Sequence, residues 1–292
     1  MSFFVIHSIY HKFIKYFVKR RETMKILILG ASGLVGKALI KELSPDHDVY
    51  GTFNQTELEL TVDHQLQWDI NDSEKILNWI DRICPDVIVS CLRGDFIVQF
   101  EAHARIVEKI KSTPTRLLFC STTNVFDGDV TKHHAETDPP VAESDYGQFK
   151  IKCEELIKNE LGERGVILRL PMVWGKQSPR LKEIKNKIEN GQEIEAYDNI
   201  YLNHAIDTGI ASQVKQIIAN DLKGIFHLAT TDIDSQYAFI WKLVKDLSPE
   251  GKVKSLTLEN YDKYNFGLLI NRTDLESGFY YDNGILLDQL VK

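Results

Sequence analysis

A tyrosine and a lysine stand four residues apart in Tyr146-Gly-Gln-Phe-Lys150, where the pattern predicts a helix over residues 145–161. Side chains at positions i and i+4 of a helix share a face, one turn apart. A nearby ammonium favours the phenolate and lowers the pKa of a tyrosine from its ordinary value of about 10. The pair is therefore a candidate proton donor to a carbonyl that receives a hydride. The same spacing also occurs in ordinary surface pairs, so the interpretation depends on the surrounding residues.

A hydroxyl-rich segment follows an apolar run that predicts a strand over residues 115–121. It reads CSTTNVFDG over residues 120–128, and its Thr122 lies 24 positions before Tyr146. A hydroxyl at the carboxyl end of a strand can hydrogen-bond to a substrate oxygen while the tyrosine protonates that oxygen. Ordinary turn chemistry at a strand end is the alternative. Thr122, Tyr146 and Lys150 are the predicted catalytic residues.

A glycine-rich turn follows the first predicted strand, with Gly30, Gly33 and Gly36 in a Gly-x-x-Gly-x-x-Gly pattern. Glycines let the backbone turn sharply and approach a pyrophosphate, and the free N–H groups of the following helix would bind that phosphate. A tight turn without a ligand is the alternative, but the strand, spacing and helix together favour a dinucleotide site. The predicted cofactor contacts are Gly30, Ser32, Gly33, Leu34, Val35, Gly36, Asn54, Asp69, Ile70, Cys91, Leu92, Tyr146 and Lys150.

The second predicted strand ends at Asn54 without the carboxylate that binds a ribose 2′-hydroxyl in NAD sites. No arginine stands there to bind a 2′-phosphate either. Because the carboxylate is missing, NADP is slightly favoured over NAD. Asp69, which closes the third predicted strand, is a candidate contact to the adenine, and helix capping is its alternative role.

Short apolar runs alternate with amphipathic stretches from Met24 onward, which predicts βαβ units. The predicted fold class is α/β, a Rossmann-type doubly wound parallel sheet with a smaller C-terminal substrate-binding region. Strands are predicted near 24–30, 48–53, 65–69, 86–91, 115–121, 165–169 and 224–229, and helices over 34–43, 73–83, 96–111, 145–161, 179–190, 205–219 and 234–247.

The domain boundaries follow from where this alternation begins and weakens. We expect an NAD(P)-binding domain over residues 24–170, with residues 200–230 packing back onto it, and a mainly substrate-binding region over 171–292. Residues 1–23 mix apolar and basic side chains, and an upstream extension outside the native fold explains them better than a membrane-surface helix. No apolar stretch there approaches the ~20 residues that span a bilayer.

Composition excludes several function classes. The net charge of −7 offers no general attraction to nucleic-acid phosphates. The four cysteines form no CxxC pair and are expected to be reduced, mostly buried thiols. His133 and His134 lie in a polar loop without the helical histidine spacing of zinc enzymes, so no metal site is predicted.

Several segments together resemble the extended short-chain dehydrogenases, in particular their dTDP-4-dehydrorhamnose reductase branch. The segments are the glycine turn at 30–36, STTNVFDG at 121–128, Tyr146 with Lys150, and LRLPMVWG at 168–175. The resemblance covers about residues 24–230. It implies a Rossmann domain, a C-terminal sugar-nucleotide region and reduction of a 4-keto sugar nucleotide by NAD(P)H. The family's catalytic threonine, tyrosine and lysine map onto Thr122, Tyr146 and Lys150.

The resemblance also implies a mechanism and a setting. The nicotinamide would give hydride to the sugar carbonyl carbon, Tyr146 a proton to its oxygen, and Thr122 a hydrogen bond to that oxygen. Lys150 would tune Tyr146 and touch the nicotinamide ribose. The implied protein is a cytoplasmic enzyme of carbohydrate biosynthesis with a sugar-nucleotide substrate, without nucleic-acid or membrane partners, and with a homodimer as one option.

The chain departs from the family pattern after the fourth predicted strand. Residues 90–96 read SCLRGDF, where the family usually has an asparagine and small alanines lining the cofactor channel. Arg93 would either contact a phosphate or block the usual geometry, and the helix carrying His103 lacks the asparagine of many relatives. Three functions therefore stay open: a keto-sugar-nucleotide reductase, an epimerase or dehydratase that returns the hydride, and a non-catalytic nucleotide-binding regulatory subunit.

Overall fold

A parallel β-sheet lies at the centre of the protein, whose computed structural model describes residues 23–292. The strands of this part of the chain are β1 (Lys25–Leu29), β2 (Asp48–Phe53), β3 (Gln65–Gln67), β4 (Val87–Ser90), β5 (Arg116–Thr122), β6 (Gly165–Leu170), β7 (Met172–Trp174), β8 (Ile194–Tyr197), β9 (Ile200–Leu202), β10 (His204–Ile206), β11 (Ile225–His227), β12 (Asp234–Ser235), β13 (Val253–Leu256) and β14 (Tyr264–Asn265). Seven strands of the described chain form the central sheet, in the order β11-β6-β5-β4-β1-β2-β3, and all of its pairs are parallel. The strand order reverses between β1 and β4, where ligands bind in such sheets. The prediction of a Rossmann-type doubly wound sheet is confirmed.

Helices cover both faces of this sheet. In chain order they are α1 (Leu34–Leu43), α2 (Ser73–Ile83), α3 (Phe96–Ile110), α4 (Asp145–Leu161), α5 (Pro179–Glu189), α6 (Asp207–Ala219), α7 (Gln236–Leu247) and α8 (Asn283–Val291). α1 packs on α6 on one face, whereas α2, α3 and α4 form the layer on the other. Along β1, Ile26 and Ile28 enter the first core, and Leu27 and Leu29 enter the second. Apolar residues on both faces explain why the strand is a continuous apolar run.

The chain leaves the central sheet after β6 and builds a smaller body. Its short strands pair as β7 with β10, β8 with β13, and β9 with β12 and β14. A third apolar core lies among α5, α7 and α8, around Trp174, Leu243 and Leu286. α6 and β11 return to the first body, because α6 packs on α1 and β11 extends the central sheet beside β6.

The structure differs most from the sequence-based prediction beyond Pro171. The pattern predicts a helix over 205–219, but α6 begins at Asp207 because His204–Ile206 forms β10 and pairs with β7. The pattern also predicts neither β7 to β9 nor α8. Strands of three or four residues carry too little periodicity to be recognised, and they form here through distant partners.

The N-terminal segment is described only from its last residue. Residues 1–22, which make up nearly all of the predicted extension, lie outside the described residues. Thr23 and Met24 lead directly into β1. Within residues 23–292, no helix is both long and apolar enough to cross a membrane.

Candidate active site

The predicted site residues come from distant parts of the sequence and lie together at the carboxyl edge of the central sheet. Gly30 follows β1, Asn54 follows β2, Asp69 lies beyond β3, Cys91 follows β4, and Thr122 closes β5. Because the strands are parallel, their carboxyl ends share this edge, where a crevice forms in doubly wound sheets. The sequence could place each residue at a strand end, and the parallel pairing brings the ends together.

The glycine turn between β1 and α1 is closed by short backbone contacts. Gly30 has a φ of +75°, and an added Cβ would lie 2.8 Å from the carbonyl oxygen of Cys91. A Cβ on Gly36 would lie 2.6 Å from the carbonyl oxygen of Gly30. Gly33 is the N-cap of α1 and no side chain caps it, so N–H groups of the first turn are left for an anion. These features fit the pyrophosphate of a dinucleotide.

Other predicted cofactor contacts lie in the turn, in α1, and beyond the ends of β3 and β4. Val35 packs into the core shared by α1 and α6, and a methyl group of Leu34 reaches toward Gly175. Ile70 and Leu92 pack against the core on the opposite face of the sheet. The partly exposed Ser32 lies within the turn itself.

Asp69 is held in a local turn. Its carboxylate accepts hydrogen bonds from the backbone N–H and the side-chain amide of Asn71, at 3.0 Å and 2.8 Å, and these bonds lower the pKa of Asp69. The alternative role of Asp69 as a helix cap is wrong, because Asp72 caps α2 by accepting from the N–H of Lys75. The adenine contact stays a prediction for the exposed Asp69.

The start of α4 is locked onto the turn that follows β5. The Ser144 hydroxyl caps the helix by accepting from the N–H of Gly147 at 3.0 Å, and it donates to the carboxylate of Asp127. A Cβ on Gly147 would collide with the carbonyl of Asn124, so glycine permits this close approach. The packing brings Tyr146, in the first turn of the helix, beside Thr122.

The Thr122 hydroxyl donates to Oδ1 of Asn124 at 3.1 Å and lies close enough to the Tyr146 phenol to lower its pKa. Thr122 also accepts from the backbone N–H of Asn124 at 3.2 Å, which holds its side chain at the strand end. Tyr146 is 36% exposed and Thr122 is buried. The structure therefore brings together two of the three predicted catalytic groups at the end of β5.

Lys150 lies one turn below Tyr146 and is 4% exposed. Its ammonium donates to the carbonyl oxygen of Cys120 at 2.8 Å and lies 4.4 Å from the ring centroid of Phe119. The distance from Nζ to the ring centroid of Tyr146 is 5.9 Å. Burial lowers the pKa of Lys150, because a charge is costly to desolvate. The lysine thus connects α4 to the end of β5.

The expected pKa shift of Tyr146 is wrong in direction. Burial raises the pKa of this phenol, whereas the Thr122 hydroxyl and the charge of Arg93 lower it to a smaller extent. The ammonium of Lys150 points at a backbone carbonyl, which reduces its influence on the phenol. A raised pKa keeps the phenol protonated at neutral pH, the form required of a proton donor.

The segment that departs from the family pattern forms an exposed turn beside Tyr146. Arg93 makes no hydrogen bond or ion pair with the part of the chain that the structure describes, and Gly94 has a φ of +128°. Asp95 caps α3 by accepting from the N–H groups of Ile97 and Val98. The ring of Phe96 lies 5.5 Å from that of Tyr146 and stacks on Phe149.

His103 fills the position behind this turn. It is fully buried, and its Nε2 lies 2.8 Å from the hydroxyl of Ser90. Burial lowers the pKa of His103 to about 4, so the ring is neutral at physiological pH. His103 lies on the helix where many relatives have an asparagine. Its side chain is part of the interior and does not face a ligand.

An ion pair that is buried below the site was not predicted from the sequence. Arg169 on β6 donates to both carboxylate oxygens of Glu154 on α4, at 3.1 Å and 2.8 Å, and the Ser121 hydroxyl donates to Oε1 at 2.5 Å. Both charged side chains are almost completely buried. Two signals were present: an arginine inside an apolar strand, and a glutamate one helical turn beyond Lys150.

The histidine loop has a structural role. His134 stacks on Phe126 with ring centroids 4.3 Å apart, and its Nε2 lies 2.8 Å from the carbonyl oxygen of Asp129. His133 Nδ1 accepts from the N–H of Gly267. Over residues 23–292, no cluster of three or more histidine, cysteine or acidic residues could hold a metal ion.

Solved structures with this fold carry dinucleotides. The dTDP-4-dehydrorhamnose reductase of Bacillus anthracis in complex with NADP superposes with a TM-score of 0.76 at 20% identity, covering 92% of this chain and 97% of that one. The Bordetella bronchiseptica enzyme WbmG in complex with NAD and UDP gives a TM-score of 0.76 at 17% identity, covering 94% of each chain. At these identities the likeness establishes the fold alone.

Curated relatives include proteins named as reductases and proteins named as subunits of methionine adenosyltransferase. The probable low-salt glycan biosynthesis reductase Agl14 of Haloferax volcanii is 22% identical over 71% of this chain and 75% of the relative. Methionine adenosyltransferase 2 subunit beta of Bos taurus is 25% identical over 73% of this chain and 69% of the relative. The family model described as RmlD substrate binding domain matches residues 24–264. The predicted resemblance is thereby confirmed: the chain belongs to the RmlD substrate-binding domain family and has the fold of the dTDP-4-dehydrorhamnose reductases.

Proposed function

We propose that this protein is an NAD(P)H-dependent reductase of a keto sugar nucleotide, similar in activity to the dTDP-4-dehydrorhamnose reductases. The observation that carries the proposal is the placement of Tyr146 beside Thr122 at the carboxyl end of β5, above the buried Lys150 that donates to the Cys120 carbonyl. The glycine turn lies at the same edge of the sheet. A proton donor and an uncapped helix start that suits a pyrophosphate, both at one edge of the sheet, suit hydride transfer to a carbonyl.

Each residue has a role that follows from its contacts. NAD(P)H supplies the hydride when it is bound. Tyr146 donates its phenolic proton to the carbonyl oxygen, and the raised pKa keeps that proton in place until the oxygen becomes basic. Thr122 holds the same oxygen with its hydroxyl. Lys150 places positive charge beneath the site and fixes the end of β5 through the Cys120 carbonyl.

The cofactor and domain assignments belong to this proposal. The uncapped start of α1 and the close contacts at Gly30 and Gly36 support a dinucleotide there, with NADP favoured over NAD. Residues 24–170 would bind the dinucleotide, with residues 200–230 packing back onto this domain. Residues 171–292 would mainly bind the sugar nucleotide. A cytoplasmic location and a homodimer are further parts of the proposal.

The decisive experiment is NADPH oxidation by the purified protein with dTDP-, UDP- and GDP-linked 4-keto sugars. We expect consumption of NADPH with at least one of them. Conversion of a sugar nucleotide without net NADPH consumption supports the epimerase or dehydratase alternative.

NADPH binding is tested in parallel with Gly36→Ala, which we expect to weaken binding about tenfold or more because the added Cβ meets backbone atoms. Gly278→Ala is the control, since nothing lies within 4 Å of its Cβ.

A second candidate is a nucleotide-binding subunit without catalytic activity. It is favoured by the Lys150 ammonium, which is bound to a backbone carbonyl, and by the Phe96 ring, which covers part of Tyr146. A relative named as a subunit of methionine adenosyltransferase fits this alternative. NADPH binding without turnover of any sugar nucleotide in the panel would support it.

A further inference from the structure

Two cysteine thiols lie side by side at the base of the crevice. The sulfur atoms of Cys91 and Cys120 are 3.5 Å apart, and both residues are partly exposed. As the sequence predicts for most of the cysteines, Cys153 is buried and Cys91 and Cys120 pack against the core, whereas Cys84 is exposed. The chain thus holds a thiol pair at two neighbouring strand ends, where the sequence showed only widely separated cysteines.

The strand register places this pair in a geometry that a disulfide can adopt. Ser90 on β4 pairs with Phe119 on β5, so the next residues, Cys91 and Cys120, are direct neighbours. Neighbouring strands lie ~4.7–4.9 Å apart, which is within the ~4.4–6.8 Å between the Cα atoms of disulfide-bonded cysteines. Both side chains point to the same face, because both pack against the core under α1 and α6.

The backbone of each cysteine touches a different functional element. The carbonyl oxygen of Cys91 lies against Gly30, where even a methyl group would have no room. The carbonyl oxygen of Cys120 accepts the hydrogen bond of the Lys150 ammonium. A disulfide would close the sulfur atoms to ~2.05 Å and would fix the spacing of two strand ends whose backbone contacts the glycine turn and the predicted catalytic lysine.

We propose that Cys91 and Cys120 form a redox site in which oxidation to a disulfide, by a low-molecular-weight disulfide such as oxidised glutathione, weakens dinucleotide binding in the crevice. The effect on binding rests on the proposed function, whereas formation of the disulfide does not.

Oxidation of the pair proceeds through two thiol–disulfide exchange steps, in which atoms and electrons balance. The Cys120 thiolate attacks one sulfur of oxidised glutathione, which forms a mixed disulfide and releases one glutathione thiolate. The Cys91 thiolate then attacks the Cys120 sulfur, which closes the protein disulfide and releases the second glutathione. The two protein thiols lose two electrons and two protons, and oxidised glutathione becomes two thiols. The hydrogen bond from Cys91 and the charge of Lys150 lower the pKa of the Cys120 thiol, which favours it as the first attacker.

Peptide mapping by mass spectrometry tests the disulfide in the unmodified protein. The reduced full chain is incubated with oxidised glutathione, alkylated and digested. We expect a peptide pair joined through Cys91 and Cys120, and an intact mass lower by about 2 Da, the mass of two hydrogen atoms. Absence of this bridge under conditions that modify the exposed Cys84 overturns the proposal.

Two variants serve as matched comparisons. Cys84→Ser removes an exposed thiol at the end of α2 and should form the Cys91–Cys120 bridge like the unmodified protein. Cys91→Ser should form no bridge and should retain glutathione on Cys120. Circular dichroism checks that both variants are folded.

Fluorescence titration with NADPH tests the effect on the crevice. We expect the oxidised protein to bind NADPH at least about tenfold more weakly than the reduced protein, with full recovery after dithiothreitol. Equal affinities of the bridged and reduced forms overturn the proposed effect on binding. If the reduced protein itself fails to bind NADPH, the proposed function fails, while the disulfide mapping still decides the chemistry of the pair.

Discussion

Two regions that border the crevice are held in very different ways. The fixed corner, which consists of Thr122, Tyr146 and Lys150, is tied by a helix cap, a backbone hydrogen bond and a buried lysine. The open turn, residues 92–96, is mostly exposed, and its Arg93 has no ion-pair partner within residues 23–292. Under the proposed function, the chemistry depends on the fixed corner, whereas the open turn adjusts what enters the crevice.

The strongest test of the fixed corner is Tyr146→Phe. Loss of the phenolic proton should reduce kcat about 100-fold or more, while NADPH affinity changes less than about twofold, because the ring is retained. Steady-state kinetics and fluorescence titration measure both quantities. Tyr261→Phe, which removes a hydroxyl from an exposed residue, is the control. Full activity in Tyr146→Phe would remove the tyrosine from the mechanism.

The buried ion pair should support the fixed corner energetically. Glu154→Gln leaves the charge of Arg169 uncompensated and should lower the free energy of unfolding by about 3–5 kcal/mol. Urea denaturation provides the measurement. The matched control is Glu74→Gln, whose partner Arg105 is 52% exposed, and it should change stability by less than about 1 kcal/mol. Equal effects of the two substitutions would show that the buried pair has no special role.

Two substitutions in α3 compare the exposed start of the helix, next to the open turn, with the core beneath it. Ile97 is 71% exposed, so Ile97→Ser should change the free energy of unfolding by less than about 0.5 kcal/mol. Ile106→Ala, on the same helix and fully buried, should cost about 2–5 kcal/mol. A large loss of stability in Ile97→Ser would contradict the exposed position of the first turn of α3, which follows the open turn.

The smallest expected effect concerns Arg93 and pH. Tyr146 must be protonated to donate, so activity should fall as pH rises through its pKa. The charge of Arg93 lowers this pKa, and Arg93→Ala should therefore move the alkaline limb of kcat/KM to higher pH. Arg93→Lys should restore the original limb. An unchanged profile in Arg93→Ala would exclude electrostatic coupling between the open turn and the phenol.

The parts of the fold that sequence could predict share one property. The strands and helices up to residue 170 are long or strongly apolar, and their predicted bounds agree with the structure to within one or two residues. Beyond Pro171, strands such as β7 and β10 form only because distant segments pair with each other. Their few residues carry no readable period.

The amino-acid sequence by itself determined the glycine turn, the helical spacing of Tyr146 and Lys150, and the strand that ends at Thr122, because each depends on local backbone chemistry. Tertiary structure decided the rest. The direction of the Tyr146 pKa shift, the Glu154–Arg169 pair and the contact between Cys91 and Cys120 arise from burial and from the neighbours that folding supplies. Desolvation and cross-strand distance are properties of the packed molecule, so no spacing along the chain encodes them.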